Sequence, residues 1–258
     1  MRTAGITLNL YSSRITMEEH SKHWPPPSGW LDACTALHLP MNASVVKAFA
    51  HYLQLLLDAN QHLNLTAVRD PDQAWFRHIF DSLSLLPHIS DAHRVLDVGA
   101  GGGLPGMVLA IAQPELDIYL LESSAKKCRF LERSAAELAL SNVHVICDRA
   151  EIAAHKEDLR EAFDLVVSRA FAPLPVLLEC AAPFAAMGGR ILAMKGKRAK
   201  EELHTAVNAM IQLHVTQTSL IPALPHSDRD AVIIEFIKQE ATPSAYPRRP
   251  GMPSKRPL

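Results

Sequence analysis

The sequence predicts an α/β fold: a doubly wound, mostly parallel sheet with an antiparallel hairpin at one edge and extra helices before it. Three observations carry this prediction. The apolar strand Arg94–Val98 runs directly into a glycine-rich turn, Gly99–Gly106. Short apolar strands then alternate with helices, as they do in sheets that are covered on both faces. The last two apolar segments follow one another without a helix between them, which is typical of an antiparallel pair.

The amino-acid composition limits the classes of protein to which this chain can belong. The chain has 258 residues, of which 48% are hydrophobic and 21% charged, so it can bury a sizeable core. A net charge of −1 gives no overall attraction for nucleic acid, and such contacts must come from local basic clusters. The 4 cysteines form no C-x-x-C pair and the histidines show no metal-ligand spacing, so we expect no disulfide, no metal and a reducing cytoplasm. No apolar run reaches the ~20 residues of a membrane span.

The segment before the sheet divides into two parts. Residues 1–30 lack sustained periodicity and contain Pro25-Pro26-Pro27, so we expect a poorly ordered leader. Residues 31–92 are predicted to form a helical segment packed on the main domain. Within it, Val45–Leu57 places apolar residues at helical spacing, and a second helix begins near Asp72. The apolar stripe of this second helix consists of Trp75, Ile79 and Leu83.

Residues 93–241 are predicted to form the main domain, a sheet of seven strands with crossing helices. The predicted strands are Arg94–Val98, Ile118–Leu121, His144–Cys147, Leu165–Ser168, Arg190–Met194, Leu213–Leu220 and Ala231–Lys238. Three helices are predicted here: one starts at Pro105, and the other two are Ala125–Leu140 and Leu174–Phe184. The last two strands, joined through Pro222 and Pro225, form the edge hairpin. Residues 242–258 form a basic, proline-rich tail, which we expect to lack regular structure.

The glycine-rich turn is a candidate cofactor loop. Because glycine has no Cβ, the turn can take up positive φ angles and let a ligand lie against bare backbone. Its Gly99-x-Gly101-x-Gly103 spacing differs from the G-x-G-x-x-G of dinucleotide enzymes. Asp97 lies just before the turn, and acidic side chains here suit S-adenosylmethionine (AdoMet). This cofactor has an ammonium group and ribose hydroxyls for carboxylates to bind, and no pyrophosphate.

Acidic residues also follow the next two strands. Glu122 ends the second strand, where a carboxylate can accept both ribose hydroxyl protons because the ends of parallel strands lie side by side. The alternative for Glu122 is a solvated acid at a helix start. Asp148 and Glu151 follow the third strand and are placed to flank the adenine, although acids at such positions often cap helices instead.

With these residues in place, the chain resembles the glucose-inhibited division protein B family of bacterial methyltransferases, which act on guanine N7 of 16S ribosomal RNA. The resemblance runs from about Asn64 to the C-terminus. The shared segments are Asn64-Leu65-Thr66, His78 with Asp81-Ser82-Leu83, Leu104-Pro105-Gly106, Lys126-Lys127 with Phe130-Leu131, Ser168-Arg169-Ala170-Phe171, Lys195-Gly196 and Tyr246–Gly251. The combination of Gly-Leu-Pro-Gly with Ser-Arg-Ala-Phe is much more specific than the glycine loop alone. The leader has no family counterpart.

The resemblance implies the fold of class I AdoMet-dependent methyltransferases and a set of AdoMet contacts. These contacts are Gly99, Leu104, Ala150, Glu151 and Arg169. Gly101 and Glu122, assigned above from the loop and the strand ends, complete the expected cofactor site. The resemblance further implies methylation of guanine N7 in 16S ribosomal RNA of the small ribosomal subunit. We expect a cytoplasmic enzyme that acts as a monomer.

The chemistry of guanine N7 determines what the active-site residues must do. Guanine N7 carries a lone pair and no proton, so its methylation needs alignment and no general base. Arg169 is the candidate catalytic residue, because it is placed to hold a phosphate or guanine O6. The alternative is an arginine that bridges Asp148 or Glu151. Phe171 either stacks on the base or belongs to the core.

Basic residues after the fifth strand and in the tail are the candidate RNA contacts. They are Lys195, Lys197, Arg198, Arg248 and Arg249. We expect both clusters to lie in irregular chain near the cofactor edge, where phosphate contacts would make binding depend on salt. Two other functions remain open: a non-catalytic ribosome-assembly or RNA-binding factor that retained the fold, and a small-molecule methyltransferase. The intact loop and Glu122 argue against the first, and the basic clusters argue against the second.

Overall fold

The computed structural model describes residues 24–39, 41–89, 91–222 and 231–258. Within these residues the strands form a 7-stranded sheet with the order β3-β2-β1-β4-β5-β7-β6. The strands are β1 (Arg94–Val98), β2 (Asp117–Glu122), β3 (Val143–Cys147), β4 (Phe163–Arg169), β5 (Ala185–Lys195), β6 (Val215–Pro222) and β7 (Val232–Lys238). Strands β1 to β5 run parallel, and β7 pairs antiparallel with both β5 and β6. The predicted doubly wound sheet with an antiparallel edge hairpin is confirmed.

Helices cover both faces of this sheet. In chain order they are α1 (Trp30–Ala36), α2 (Ala43–Leu63), α3 (Pro71–Ala74), α4 (Asp81–Leu83), α5 (Gly106–Ala112), α6 (Ala125–Glu137), α7 (Ala150–Ala153), α8 (Leu174–Ala181), α9 (Ala199–Thr205), α10 (Val207–Gln212) and α11 (Met252–Lys255). A π-helical turn, Trp75–Phe80, joins α3 to α4, and Leu86–His88 forms a 3-10 turn. In the described part of the chain, no helix has the length and apolar character that crossing a membrane requires.

The predicted helices are present, with ends that local capping sets. The predicted Val45–Leu57 lies inside the longer α2, which begins after Asn42, whose side chain accepts the Val45 N–H. The helix predicted to reach Leu140 ends at Glu137, because Ala139 takes a positive φ of 53° that stops the helix. The helix predicted near Asp72 begins at Pro71. Its predicted apolar stripe, Trp75, Ile79 and Leu83, is fully buried.

Two segments predicted to be irregular contain helices, which corrects the sequence analysis. The basic run that begins at Lys195 enters α9 at Ala199, and α10 follows before β6. Small residues form the buried side of this helix pair, so a search for large apolar side chains at helical spacing does not detect it; they are Ala199, Ala206 and Ala209. The tail contains α11, in which Pro253 lies in the first turn, where proline favours a helix start.

The N-terminal helices share a core with one face of the sheet. Trp30, Phe49 and Trp75 are fully buried and belong to the same cluster as residues of α5, α6 and the central strands. The Trp30 indole N–H donates to the Trp75 carbonyl at 3.1 Å. Residues 1–23 of the predicted leader lie outside the described residues. Trp30 already begins α1 and is part of this core, so the helical segment begins before the predicted boundary.

Candidate active site

A cavity of about 630 Å³ lies at the carboxyl ends of β1 to β4. Strand β1 lies between β2 and β4, so the loop after β1 borders the point where the strand order reverses. Open α/β sheets bind ligands at this position, because the loops on either side leave in opposite directions. The walls of the cavity come from the glycine loop, the residues after β2 and β3, the segment after β4 and the N-terminal helices.

The glycine loop presents its backbone to this cavity. Gly99, Gly101 and Gly103 have positive φ angles of 74°, 58° and 91°. A Cβ added at Gly101 would meet only the Gly99 carbonyl oxygen, at 3.8 Å, so a side chain here would project into open space. At Gly99 the same atom would lie 2.2 Å from the Phe171 ring, which packs directly on the loop. The absence of side chains therefore creates a cradle for a ligand.

Residues behind the loop hold it in place. The Tyr52 hydroxyl donates to the Gly102 carbonyl at 2.6 Å, which ties α2 to the loop. An added Cβ at Gly102 would lie 2.8 Å from Leu56 Cδ1, which shows how closely α2 packs here. Asp97 Oδ2 accepts the N–H of Gly106 at 2.9 Å. The N-terminal helices are therefore part of the machinery that shapes the loop, a role the sequence did not reveal.

Asp97 is fully buried under the loop and does not line the cavity. Burial raises the pKa of Asp97 to about 7, although the hydrogen bond from Gly106 acts in the opposite direction. The sequence analysis expected a carboxylate here to suit the ammonium group of AdoMet. In the structure Asp97 Oδ2 bonds to the backbone at the end of the loop, its Oδ1 has no partner among the described residues, and a contact with the ammonium group stays a prediction.

Two acids at the strand ends do line the cavity. Glu122 Oε2 accepts the N–H of Gly101 at 3.0 Å, and its Oε1 accepts the N–H of Ser124 at 2.8 Å. Glu122 Oε2 keeps a second lone pair for a hydroxyl donor, whereas Oε1 also lies 3.5 Å from the Ser123 hydroxyl, which donates to it. Glu151 Oε1 accepts from Arg149 Nη2 at 2.9 Å. Burial favours a higher pKa for Glu151, but its hydrogen bonds, that from Arg149 foremost, hold the pKa below its usual value.

Apart from Asp97, every residue predicted to contact the cofactor lines this cavity. They are Gly99, Gly101, Leu104, Glu122, Ala150, Glu151 and Arg169. The structure thus brings them together, and their contacts with AdoMet stay predictions. The sequence analysis assigned no role to several other lining residues, which are Leu65, Thr66, Ala67, Val68, Arg77, Lys127 and Ser254. The Asn64-Leu65-Thr66 and Lys126-Lys127 segments had signalled some of them through the family resemblance, whereas nothing had signalled Ser254.

A hydrogen-bonded cluster positions the Leu65–Val68 part of the cavity wall. Asn60 Oδ1 accepts the N–H groups of Leu65 and Thr66 at 2.7 and 2.9 Å. His78 Nδ1 lies 3.0 Å from the Arg77 carbonyl and therefore donates to it, so its Nε2 accepts from the Thr66 hydroxyl at 2.7 Å. Burial, with the nearby charge of Arg169, lowers the pKa of His78 to about 4. The ring is neutral at pH 7 with both nitrogens engaged, so it does not offer a free base.

A second cavity, of about 420 Å³, adjoins the first. Arg77 and the segment Arg169–Ala172 line both cavities. Ala170 in this shared wall has a φ of 53°, a conformation that costs energy for a residue with a Cβ and is often found at functional sites.

Arg169 lies in this shared wall with part of its guanidinium unused. Its Nη2 donates to the Arg77 carbonyl at 2.5 Å and lies 3.6 Å from Asp81 Oδ2. Its Nη1 is buried and has no hydrogen-bond partner within the residues that the structure describes. Buried donors are nearly always satisfied, so this nitrogen points to a ligand. The carboxylate nearest to Arg169 is Asp81, and not Asp148 or Glu151 as the alternative prediction proposed.

The candidate RNA contacts fall into two groups. Lys197, Arg198 and Arg249 are exposed. Lys195 Nζ bonds to Glu202 at 2.9 Å and Arg248 is paired with buried Glu179. Among the described residues no cluster of histidine, cysteine and acidic side chains is able to hold a metal ion.

The described donors and acceptors suit AdoMet: the loop offers bare backbone, and Glu122 and Glu151 offer carboxylate oxygens to hydroxyl or amino groups. A solved structure of a SAM-dependent methyltransferase from Aquifex aeolicus has a similar fold, with a TM-score of 0.52 and 14% identity, over 68% of this chain and 97% of that one. The chain thus has the fold of the class I AdoMet-dependent methyltransferases.

The family is clear from sequence comparison. The family model described as rRNA small subunit methyltransferase G (GidB) matches residues 45–232, and the chain belongs to this family. Ribosomal RNA small subunit methyltransferase G of Streptococcus pneumoniae serotype 19F (strain G54) is 36% identical over 90% of this chain and 99% of its own length. The protein of the same name from Moorella thermoacetica is 41% identical over 80% of this chain and 88% of its own. The predicted family resemblance is confirmed.

Proposed function

We propose that this protein methylates N7 of a guanine in 16S ribosomal RNA, with AdoMet as the methyl donor. Family membership supports the substrate and the position. One structural observation carries the assignment of the site: two cavities meet at Arg169, which leaves a buried N–H group without a partner in the described chain. In this proposal the first cavity holds AdoMet and the second receives the guanine base.

The residues align the reactants and do not move a proton. When bound, AdoMet supplies a methyl group on a positively charged sulfur. Guanine N7 already has a lone pair, so direct in-line transfer needs no general base, in keeping with a neutral His78 whose ring nitrogens are both engaged. Arg169 Nη1 donates to guanine O6, which lies beside N7 and would fix the orientation of the base. Phe171, which borders both cavities, supports the face of the base.

RNA phosphates are bound by the exposed cations near the second cavity and in the tail. Lys197, Arg198 and Arg249 take this role, because their side chains are exposed to solvent. Lys195 and Arg248, the other two predicted contacts, bond to carboxylates of the protein and are assigned here to its structure. We keep the monomer as the expected state, which size-exclusion chromatography with light scattering would measure. Its substrate places it in the cytoplasm.

Transfer of a labelled methyl group tests this function. Purified protein is incubated with tritiated AdoMet and unmethylated small ribosomal subunits, and the RNA is digested to nucleosides. We expect label in 7-methylguanosine of 16S RNA and none in large-subunit RNA, which serves as the control. Label in another nucleoside would disprove N7 as the target. Tight binding to subunits without any label would instead establish the alternative, a non-catalytic ribosome-assembly factor.

A further inference from the structure

The end of the chain crosses the surface on a fixed path to the cofactor cavity. Residues 246–258 are called the tail strap here. Arg160 Nη1 donates to the Tyr246 carbonyl at 3.0 Å, and its Nη2 donates to the Thr242 carbonyl at 2.7 Å. His155 Nε2 lies 2.9 Å from the Pro247 carbonyl and donates to it. The segment that precedes the strap and its first residues are thus held by the chain around α7.

A buried ion pair fixes the middle of the strap. Glu179 on α8 is fully buried, and its Oε1 accepts both the backbone N–H and the Nε–H of Arg248, at 2.9 and 2.8 Å. Its Oε2 accepts from Arg248 Nη2 at 2.6 Å. A buried carboxylate destabilises the fold when it has no partner. The ion pair between Glu179 and Arg248 therefore couples α8 to the tail strap. This pair accounts for Arg248, which the sequence analysis had assigned to RNA.

Beyond this pair the strap reaches the cofactor cavity. The N–H of Gly251 donates to Glu151 Oε1 at 2.9 Å, and Gly251 has a φ of 80° that favours glycine. Three residues later, Ser254 lines the cavity itself, together with Ala150, Val176 and Cys180. The strap therefore supplies one bond to a predicted cofactor residue and one polar side chain to the cavity wall.

We propose that the tail strap is part of the cofactor site: Ser254 contacts the adenosine of AdoMet, and Gly251 is a positioning residue that orients Glu151. The inference rests on the proposed function in taking AdoMet as the ligand. The acids indicate which end of the cavity holds the adenosine: Glu122, the last residue of β2, is placed for the ribose, and the adenine then lies beyond it, toward Glu151. Ala150, Val176 and Cys180 supply apolar surface there, and Ser254 supplies a hydroxyl that can donate or accept.

The contact of Ser254 is tested by calorimetry of AdoMet binding to the full chain. Ser254→Ala should weaken AdoMet about 5-fold, the effect of one lost hydrogen bond. The affinity for 5′-methylthioadenosine, measured by competition with AdoMet, should fall by the same factor, because this compound keeps the adenosine and lacks the amino-acid part. Ser244→Ala is the matched control, since Ser244 is an exposed serine just before the strap. It should leave the affinity unchanged.

The positioning role of Gly251 is tested by a pair of substitutions. A Cβ added here would meet nothing within 4 Å, so space does not limit either variant. Asparagine tolerates a positive φ and keeps the N–H in place, whereas a β-branched residue does not tolerate it. Gly251→Val should therefore weaken AdoMet about 10-fold, roughly the loss of a hydrogen bond to a charged group, and Gly251→Asn should restore affinity to within about 2-fold.

The outcomes separate this inference from the proposed function. If the tail strap has a purely structural role, the substitutions will lower Tm and leave the AdoMet affinity unchanged at low temperature. Thermal melting of each variant detects this outcome. That result, or wild-type affinity in both Ser254→Ala and Gly251→Val, would overturn the inference while methyl transfer by the wild type stands. A wild-type protein that binds no AdoMet would overturn both.

Discussion

Arg169 lies in the wall between the two cavities, and the protein uses only part of its guanidinium. Its Nη2 is bonded to the Arg77 carbonyl, while its buried Nη1 has no partner in the described chain. Burial lowers the pKa of Arg169, yet an arginine in a protein keeps its charge. The guanidinium of Arg169 is therefore held in position to donate a hydrogen bond to a ligand in either cavity.

Removal of this cation should slow methyl transfer more than it weakens the fold. We expect Arg169→Ala to lower kcat/KM for ribosomal RNA by about 10- to 100-fold, the value of one charge-assisted hydrogen bond. Methyl-transfer kinetics and urea unfolding measure the two effects. Arg133→Ala is the control, because Arg133 is exposed and, among the described residues, forms an ion pair only with Glu137 on the surface of α6. Wild-type turnover in Arg169→Ala would remove the proposed role.

Asp97 gives the stability of the protein a distinctive pH dependence. Burial raises the pKa of Asp97 from 3.8 to about 7, so between these values the folded protein keeps a proton that the unfolded chain has released. The contribution of this group to stability is therefore fully present below about pH 4 and is lost as the pH rises toward about 7.

A neutral side chain at this position should flatten that dependence. In Asp97→Asn we expect the free energy of unfolding to fall less steeply between about pH 4 and pH 7 than in the wild type. Urea unfolding at several pH values measures this slope. Asp158→Asn, at an exposed acid, should follow the wild-type curve. Parallel curves for Asp97→Asn and the wild type would contradict the assignment.

At the scale of an element, the glycine loop is shaped by its neighbours as much as by its own residues. Tyr52 and Leu56 of α2 support it from behind, and Glu122 at the end of β2 accepts the N–H of Gly101. The loop can therefore present backbone to the cavity without relying on a ligand for its shape.

Charge at Gly101 should prevent cofactor binding. A side chain here projects into the cavity beside Glu122, so Gly101→Asp places two carboxylates together where a ligand must lie. Gly101→Asn has the same size and tolerates the positive φ, so the difference between the variants isolates the charge. By calorimetry we expect no measurable AdoMet binding in the aspartate variant and weakened binding in the asparagine variant. Equal affinities would show that charge plays no part.

At the scale of the whole molecule, the N-terminal helices and the sheet share one buried cluster. The 3 tryptophans of the chain are Trp24, Trp30 and Trp75, so tryptophan fluorescence reports on the segment before the sheet. Far-UV circular dichroism reports on all helices and strands. The two signals therefore monitor different parts of the molecule.

The shared core predicts a single cooperative unfolding transition. Urea denaturation followed by fluorescence and by circular dichroism should give the same midpoint within error. Trp30→Phe, which removes the indole bond to the Trp75 carbonyl, should lower both midpoints together. An earlier fluorescence transition would show instead that residues 31–92 unfold as a separate domain.

Much of the fold follows from patterns that are local in the sequence. The strand Arg94–Val98 has the predicted bounds because its apolar residues follow the exposed His93 and end at Gly99. Helix ends were less predictable, since a single residue such as Ala139 at positive φ decides them. The pair α9–α10 was missed because small alanines, and not large apolar residues, form its buried face.

The sequence by itself determined the sheet, its glycine loop and the acids after the strands, because strand ends that are far apart along the chain must meet at one edge of a parallel sheet. Only the tertiary structure decided which side chains approach that edge from elsewhere. Tyr52 behind the loop, Asp81 beside Arg169 and Ser254 at the far wall come from helices outside the strand pattern. Their positions depend on packing and on single hydrogen bonds between distant segments, which no local periodicity encodes.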